Sequence, residues 1–284
     1  MASERLLRAA PTLLFGLSAL ALAVPARGEE SDDDDSEADA RAPLVSLPPP
    51  PVSVSKDGMI GIPAATFAMG SSDASSPPNE RPPQLVTVKT FLIDRTEVTV
   101  GAYRACVTEG RCAAPKRSSA TCTYERGDAE LPVNCVTFAD ADGFCRARAK
   151  RLPTEAEWEL AARGPSLHAF PWGAAKPSCA LAVTLVRDTT SKSCGGDGPT
   201  RVGTHAAGAS PFGVLDMSGN VEEWVSDYYA EHRGGLAPRS GASRVLRGGG
   251  WLSWPSASRT TTRGYGSALE AGPNVGFRCA KDSR

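Results

Sequence analysis

Eight cysteines constrain this 284-residue chain more than any other feature. They stand at Cys106, Cys112, Cys122, Cys135, Cys145, Cys179, Cys194 and Cys279. The number is even, no pair has CxxC spacing, and no histidine sits at zinc-finger distance. A structural zinc site is therefore disfavoured, and in an oxidising compartment disulfides are the default reading. Cys179 with Cys194 is the pairing expected from proximity. The chain also holds 28 glycines and 23 prolines, against a usual combined share of about 12%. That excess favours a loop-rich fold over a helical bundle.

The N-terminal segment points to export. Arg5 and Arg8 make a positive leader, Leu13 to Val24 is apolar apart from Gly16 and Ser18, and Val24-Pro25-Ala26 reads as a small-residue cleavage site. Residues 1–26 are read as a signal peptide. With no cysteine near the cleavage point, a lipoprotein anchor is disfavoured. No later segment is apolar for long enough to span a bilayer. A periplasmic or extracellular location follows, with no transmembrane segment after signal cleavage.

Residues 27–56 read as a tether. Glu29, Glu30, Asp32, Asp33, Asp34, Asp35, Glu37 and Asp39 repel one another, and Pro48 to Pro51 favour stiff polyproline II. The formal net charge of −1 is thus a cancellation between this run and a mildly basic remainder. Its bases are scattered rather than clustered, so no nucleic-acid partner is expected. The folded domain is placed at 57–284.

Within it, Met59 to Gly70 and Leu85 to Asp94 read as strands, as do Arg244 to Leu246 and Val275 to Ala280. Thr99 to Val107 and Thr137 to Ala149 read as short helices. Thr154 and Glu157 have capping-box spacing ahead of a third helix that Gly164-Pro165 stops. Strands and helices do not alternate regularly, which disfavours a doubly wound sheet. Generic catalytic signatures are missing: there is no GxSxG, phosphate loop or HExxH. His168, His205 and His232 are isolated. Glu155, Glu157 and Glu159 are explained by capping and the helix dipole.

Four stretches carry a resemblance. They are Asp94-Arg95-Thr96-Glu97-Val98-Thr99, the run from Arg151 to Glu159 (RLPTEAEWE), the run from Phe212 to Val221 (FGVLDMSGNV), and Arg247-Gly248-Gly249 with the closing Gly276-Phe277-Arg278-Cys279-Ala280. In this order they resemble the formylglycine-generating enzyme, or sulfatase-modifying factor, family. The resemblance implies an α+β fold, irregular and low in regular secondary structure, of the C-type-lectin-like type. It also implies a disulfide between Cys145 and Cys279. The family's second framework pair falls near Ala162 and Arg263 and is absent, which leaves Cys106, Cys112, Cys122 and Cys135 to pair among themselves.

Active members oxidise a cysteine of a sulfatase peptide with molecular oxygen and with copper held by two cysteines that follow an RGGS motif. In a gapless alignment Ser253 and Ser258 occupy those two cysteine positions. Gly250 replaces the motif's serine, and Glu222 replaces a usual tryptophan. A serine hydroxyl is a poor Cu(I) ligand, so neither copper nor formylglycine formation is expected. The resemblance further implies a calcium site at Asp216 with backbone oxygens of Met217, Gly219 and Val221. A second site would retain only Asp197 and the carbonyl of Pro199, its asparagine being replaced near Val183. Two functions follow as expectations. One is a non-catalytic binding or structural module, a pseudoenzyme, presenting a surface to a protein, peptide or glycan. The alternative is an enzyme of the formylglycine-generating oxidase superfamily with changed oxidative chemistry.

Overall fold

The computed structural model describes residues 53–166, 168–185, 193–231 and 238–283. The signal segment, most of the tether and His232 lie outside them. Backbone pairing starts ahead of Asp57: β1 (Ser53–Val54) pairs antiparallel with β2 (Ile60–Ile62). Gly58, at φ 78°, makes the intervening turn, a left-handed conformation that glycine adopts without a Cβ clash. The Ser55 hydroxyl receives the Met59 N–H there.

Met59 to Gly70 is two strands rather than one. After β2, Pro63 offers no N–H to a ladder, and Ala64 N donates to the Thr90 hydroxyl at 3.1 Å instead. The chain resumes as β3 (Ala65–Met69). Leu85 to Asp94 breaks opposite this point, into β4 (Gln84–Val88) and β5 (Phe91–Ile93). Both strands thus change sheet together: β3 and β4 form a two-stranded ribbon, while β2 and β5 join β1 and the terminal β10 (Ala280–Asp282) in the order β1-β2-β5-β10. Along β2 and β5, Ile60, Ile62, Phe91 and Ile93 all point into the core, as period-two alternation demands.

A second four-stranded sheet has the order β8-β7-β6-β9. It comprises β6 (Glu222–Tyr228), β7 (Ser243–Arg247), β8 (Arg263–Ser267) and β9 (Val275–Gly276). Only the β6–β9 pair is parallel. The expected strand Val275 to Ala280 is therefore divided, and Phe277, Arg278 and Cys279 cross from β9 in one sheet to β10 in the other.

Among the described residues three α-helices connect these layers. In α1 (Val100–Thr108) the Thr99 hydroxyl accepts from Ala102 N. Both α2 (Phe138–Ala147) and α3 (Glu155–Arg163) begin with complete capping boxes, Thr137 with Asp140 and Thr154 with Glu157. Each satisfies N–H groups that a helix start leaves open. Tyr103 of α1 stacks on Phe144 of α2 at 5.4 Å, and Phe277 meets both rings edge-on. By contrast α3 is enclosed on nearly every side, with only Ala156 partly exposed.

Four disulfides tie the fold: Cys106–Cys112, Cys122–Cys135, Cys145–Cys279 and Cys179–Cys194. The long bridge joins α2 to the segment just before β10, 134 residues apart. Closing such a loop restricts the unfolded chain by ~5 kcal/mol in the entropic account.

Candidate functional site

The motifs converge on α3. Its carboxylates do more than cap. Glu157 does receive Thr154 N at 2.8 Å and pairs with Arg151, but Glu155 and Glu159 are buried partners of arginines that come from β7 and β8. Arg263 grips Glu155 through Nε at 2.7 Å and Nη2 at 3.1 Å. Arg247 bridges Glu155 and Glu159 at 3.2 and 2.7 Å, and Arg163 closes the row on Glu159 at 2.8 Å. Capping and the helix dipole therefore account for Glu157 alone.

A second buried pair lies beside the first. Arg278 binds Glu223 through both Nε and Nη2, and Trp158 Nε1 donates to the same carboxylate at 2.9 Å. Arg278 also donates to the carbonyls of Asp94, Arg95 and Leu215. Trp158 carries Arg247 over its ring at 5.1 Å. Gly248, at φ 89°, has its hydrogen where a Cβ would stand 3.0 Å from the Trp158 ring. The four quoted motifs are thus one assembly, in which Arg247, Arg263 and Arg278 are each matched to a buried carboxylate.

On this base rest the two loops that carry the expected site residues. Trp251 N donates to Asn220 O, Gly219 N to Gly248 O, and the Ser218 hydroxyl to Ser258 O at 2.6 Å. The stretch from Ser218 to Asn220, within the expected Asp216–Val221 site, is therefore bonded to the segment that holds Ser253 and Ser258. Ser253 Oγ receives Gly250 N at 3.0 Å and Asn274 Nδ2 at 3.1 Å. Ser258, fully buried, donates to Pro255 O at 2.9 Å. Among the described residues neither hydroxyl is hydrogen-bonded to a basic side chain.

Asp216 adopts a left-handed backbone, φ 58°, and its carboxylate receives Gly203 N at 2.6 Å. Close by, Glu97 is wholly buried, and its Oε2 has no hydrogen-bond partner. Burial, then the Asp216 and Glu223 carboxylates, push the Glu97 carboxyl well above the usual range, while Arg278 opposes them. An orphaned carboxylate oxygen beside a second carboxylate suits a hard cation with oxygen ligands, so these residues fit calcium. Among the described residues no three His, Cys, Asp or Glu side chains converge on one point, and such a cation would rely on backbone carbonyls.

Asp197 is exposed on a turn. The turn lies against Val183, since a Cβ on Gly195 would stand 3.1 Å from the Val183 side chain. Val183 O accepts Asn220 N. Copper fares differently. All eight cysteines are in disulfides, so the loop offers no soft ligand and the residues do not fit Cu(I).

Glu222 is the residue whose role spacing did not reveal. It is partly buried at the head of β6, where burial lifts its carboxyl to about 7 against the lowering effect of Asn274. Asn274 in turn touches Ser253. The only sequence signal was the replacement of a usual tryptophan.

A family model for the sulfatase-modifying factor enzyme 1-like domain matches residues 46–283. Hercynine oxygenase of Mycolicibacterium smegmatis is 31% identical, over 82% of this chain and 64% of its own length. The chain thus spans less than two thirds of that relative. The inactive C-alpha-formylglycine-generating enzyme 2 of Mus musculus is 29% identical, over 79% of this chain and 86% of its own. Among solved structures, PvdO from Pseudomonas aeruginosa superposes with a TM-score of 0.68 at 26% identity, over 84% of this chain and 99% of that one. The observed architecture is the irregular α+β fold of the C-type-lectin-like type. Motif order, buried assembly and family model cover the same residues, and the chain belongs to the sulfatase-modifying factor, or formylglycine-generating enzyme, family.

Proposed function

We propose that this chain is an exported, non-catalytic member of its family: a binding or structural module that has kept the framework and lost the copper-binding cysteines. One observation carries the reading. Where the family's thiol pair is expected, Ser253 and Ser258 present hydroxyls held in loop hydrogen bonds, and all eight cysteines of the chain are committed to disulfides. Four disulfides fit an oxidising, exported environment. No helix among the described residues is long and apolar enough to cross a membrane. The 1–26 leader and the 27–56 acidic, proline-rich tether complete this proposal, presenting the domain to a protein, peptide or glycan.

Calcium is part of the proposal as a structural ion, at Asp216 with the carbonyls of Met217, Gly219 and Val221. The second site at Asp197 is the weaker of the two, since it has lost its asparagine.

Similarity to hercynine oxygenase at 31% identity supports a second reading, an oxidative enzyme with changed chemistry. Metal content separates the two. Purified protein holding calcium alone, with EDTA lowering its melting temperature and added calcium restoring it, supports the module. Stoichiometric copper or iron would contradict it. An unchanged melt in EDTA would remove the calcium claim.

A further inference from the structure

At the far end of the buried charge row, adjoining the end of the Ser253–Ser258 loop, lies a cavity of about 140 Å³ lined by Gly70, Ser71, Ser72, Asp73, Ser76, Arg163, His168 and Arg259. One buried donor on its walls lacks an acceptor. Arg163 is only 1% exposed, and all its hydrogen bonds run through Nη2, to Ala68 O, Gly70 O and Glu159. Its Nε–H is buried without a partner. Leaving such a charged donor open is costly unless something occupies the cavity.

A hydroxyl chain adds to this. Arg259 Nη1 donates to Ser76 Oγ at 3.0 Å, and Ser76 donates to Ser71 Oγ at 2.8 Å. Ser71 Oγ also receives Asp73 N at 3.1 Å. Having accepted twice, the Ser71 hydroxyl keeps its own proton to donate. His168 is exposed at the rim. Two acids are near. Glu80 is engaged by Arg259 and Thr261, each at 2.7 Å. Asp73 is bound by Ser75 and held below the usual carboxylate range by those hydrogen bonds.

We infer that this cavity is an anion site that takes a tetrahedral oxyanion, phosphate or sulfate, on the Arg163, Arg259, Ser71 and His168 donors. Guanidinium groups suit such oxygens, and donors approaching from several walls suit a tetrahedral more than a planar anion. The cavity shares Asp73, Ser76 and Arg259 with an open groove of about 490 Å³ that runs on to Ser256 and Thr262. That groove gives room for the remainder of an ester, so the oxyanion is accommodated either free or carried on a larger molecule. The inference needs neither calcium nor the absence of catalysis.

The test uses the full chain and two exposed positions on the cavity wall, with inorganic phosphate, inorganic sulfate and methyl phosphate as probes. Melting temperature and titration calorimetry are read at fixed ionic strength against sodium chloride. Saturable stabilisation beyond chloride is expected. Asp73→Asn, which removes the opposing charge, tightens binding about twofold to fivefold, the range of a solvent-exposed charge pair. Ser72→Asp places a carboxylate in the cavity and abolishes the response. Methyl phosphate binding as well as phosphate identifies an ester-bearing ligand; inorganic phosphate or sulfate alone identifies the free ion. No effect beyond chloride, or binding indifferent to both substitutions, overturns the inference and leaves an adventitious ion only.

Discussion

The assembly around α3 and the loop from Gly250 to Ser258 are neighbours with opposite characters. In the first, Arg247, Arg263 and Arg278 are buried and matched to Glu155, Glu159 and Glu223 over sequence distances of 55 to 108 residues. Removing one member strands another charge in the interior. In the second, the two key side chains are small and neutral; Ser258 bonds Pro255 and Ser253 bonds Gly250 and Asn274, so a change there strands no charge. Burial makes the framework intolerant, whereas a substitution in the loop leaves the fold in place. On the proposed reading, that contrast explains how a family fold survives without the family's reactive groups.

The largest effect should come from the buried row. Glu159→Gln leaves Arg163 and Arg247 short of a matching charge and should cost about 3–5 kcal/mol, read by urea unfolding. Replacing Cys145 and Cys279 together by alanine should cost about 2–5 kcal/mol. A loss below about 1 kcal/mol in either experiment would mean that the framework is not the stabilising region described.

Glu222 lies between the two regions and adds a pH dependence. Its carboxyl sits at about 7 in the fold and near the ordinary glutamate value when unfolded. Between those values the folded state holds the extra proton, so stability falls as pH rises from about 4.5 through 7 and is level above, a change of about 1–3 kcal/mol. Glu222→Gln should flatten that part of the profile, since the amide does not titrate. A parallel profile would show that the fall belongs to other groups, Glu97 foremost. The smallest effect should be in the loop, where Ser258→Ala removes one local hydrogen bond and should cost about 0.5–1.5 kcal/mol.

Local rules made part of this legible. Both capping boxes are fully specified by residues three apart, and the start of α3 follows from Thr154 and Glu157. The limits of local reading show at β6 and β8. Glu222-Glu223 heads a strand because Arg278 neutralises Glu223 from 55 residues away. Arg263 to Ser267, with Gly264 and Gly266, is a strand because β7 pairs along it. Glu222, Glu223, Gly264 and Gly266 are poor strand formers on their own. Glu155 and Glu159 read as carboxylates of a capped helix start, since of their arginines only Arg163 is near in sequence, while Arg247 and Arg263 stand 88 to 108 residues away. The loop's departure was legible because it is an absence of cysteine in the sequence itself. The donor-lined cavity was not, because it joins Ser71, Arg163 and Arg259 from three distant segments.

The central claim is that the framework persists without copper-dependent oxidation. It is tested most directly by incubating the copper-treated full chain with a CxPxR peptide under oxygen and measuring the peptide's mass. The account predicts an unchanged cysteine. The mass loss that marks conversion of its thiol to an aldehyde would contradict it.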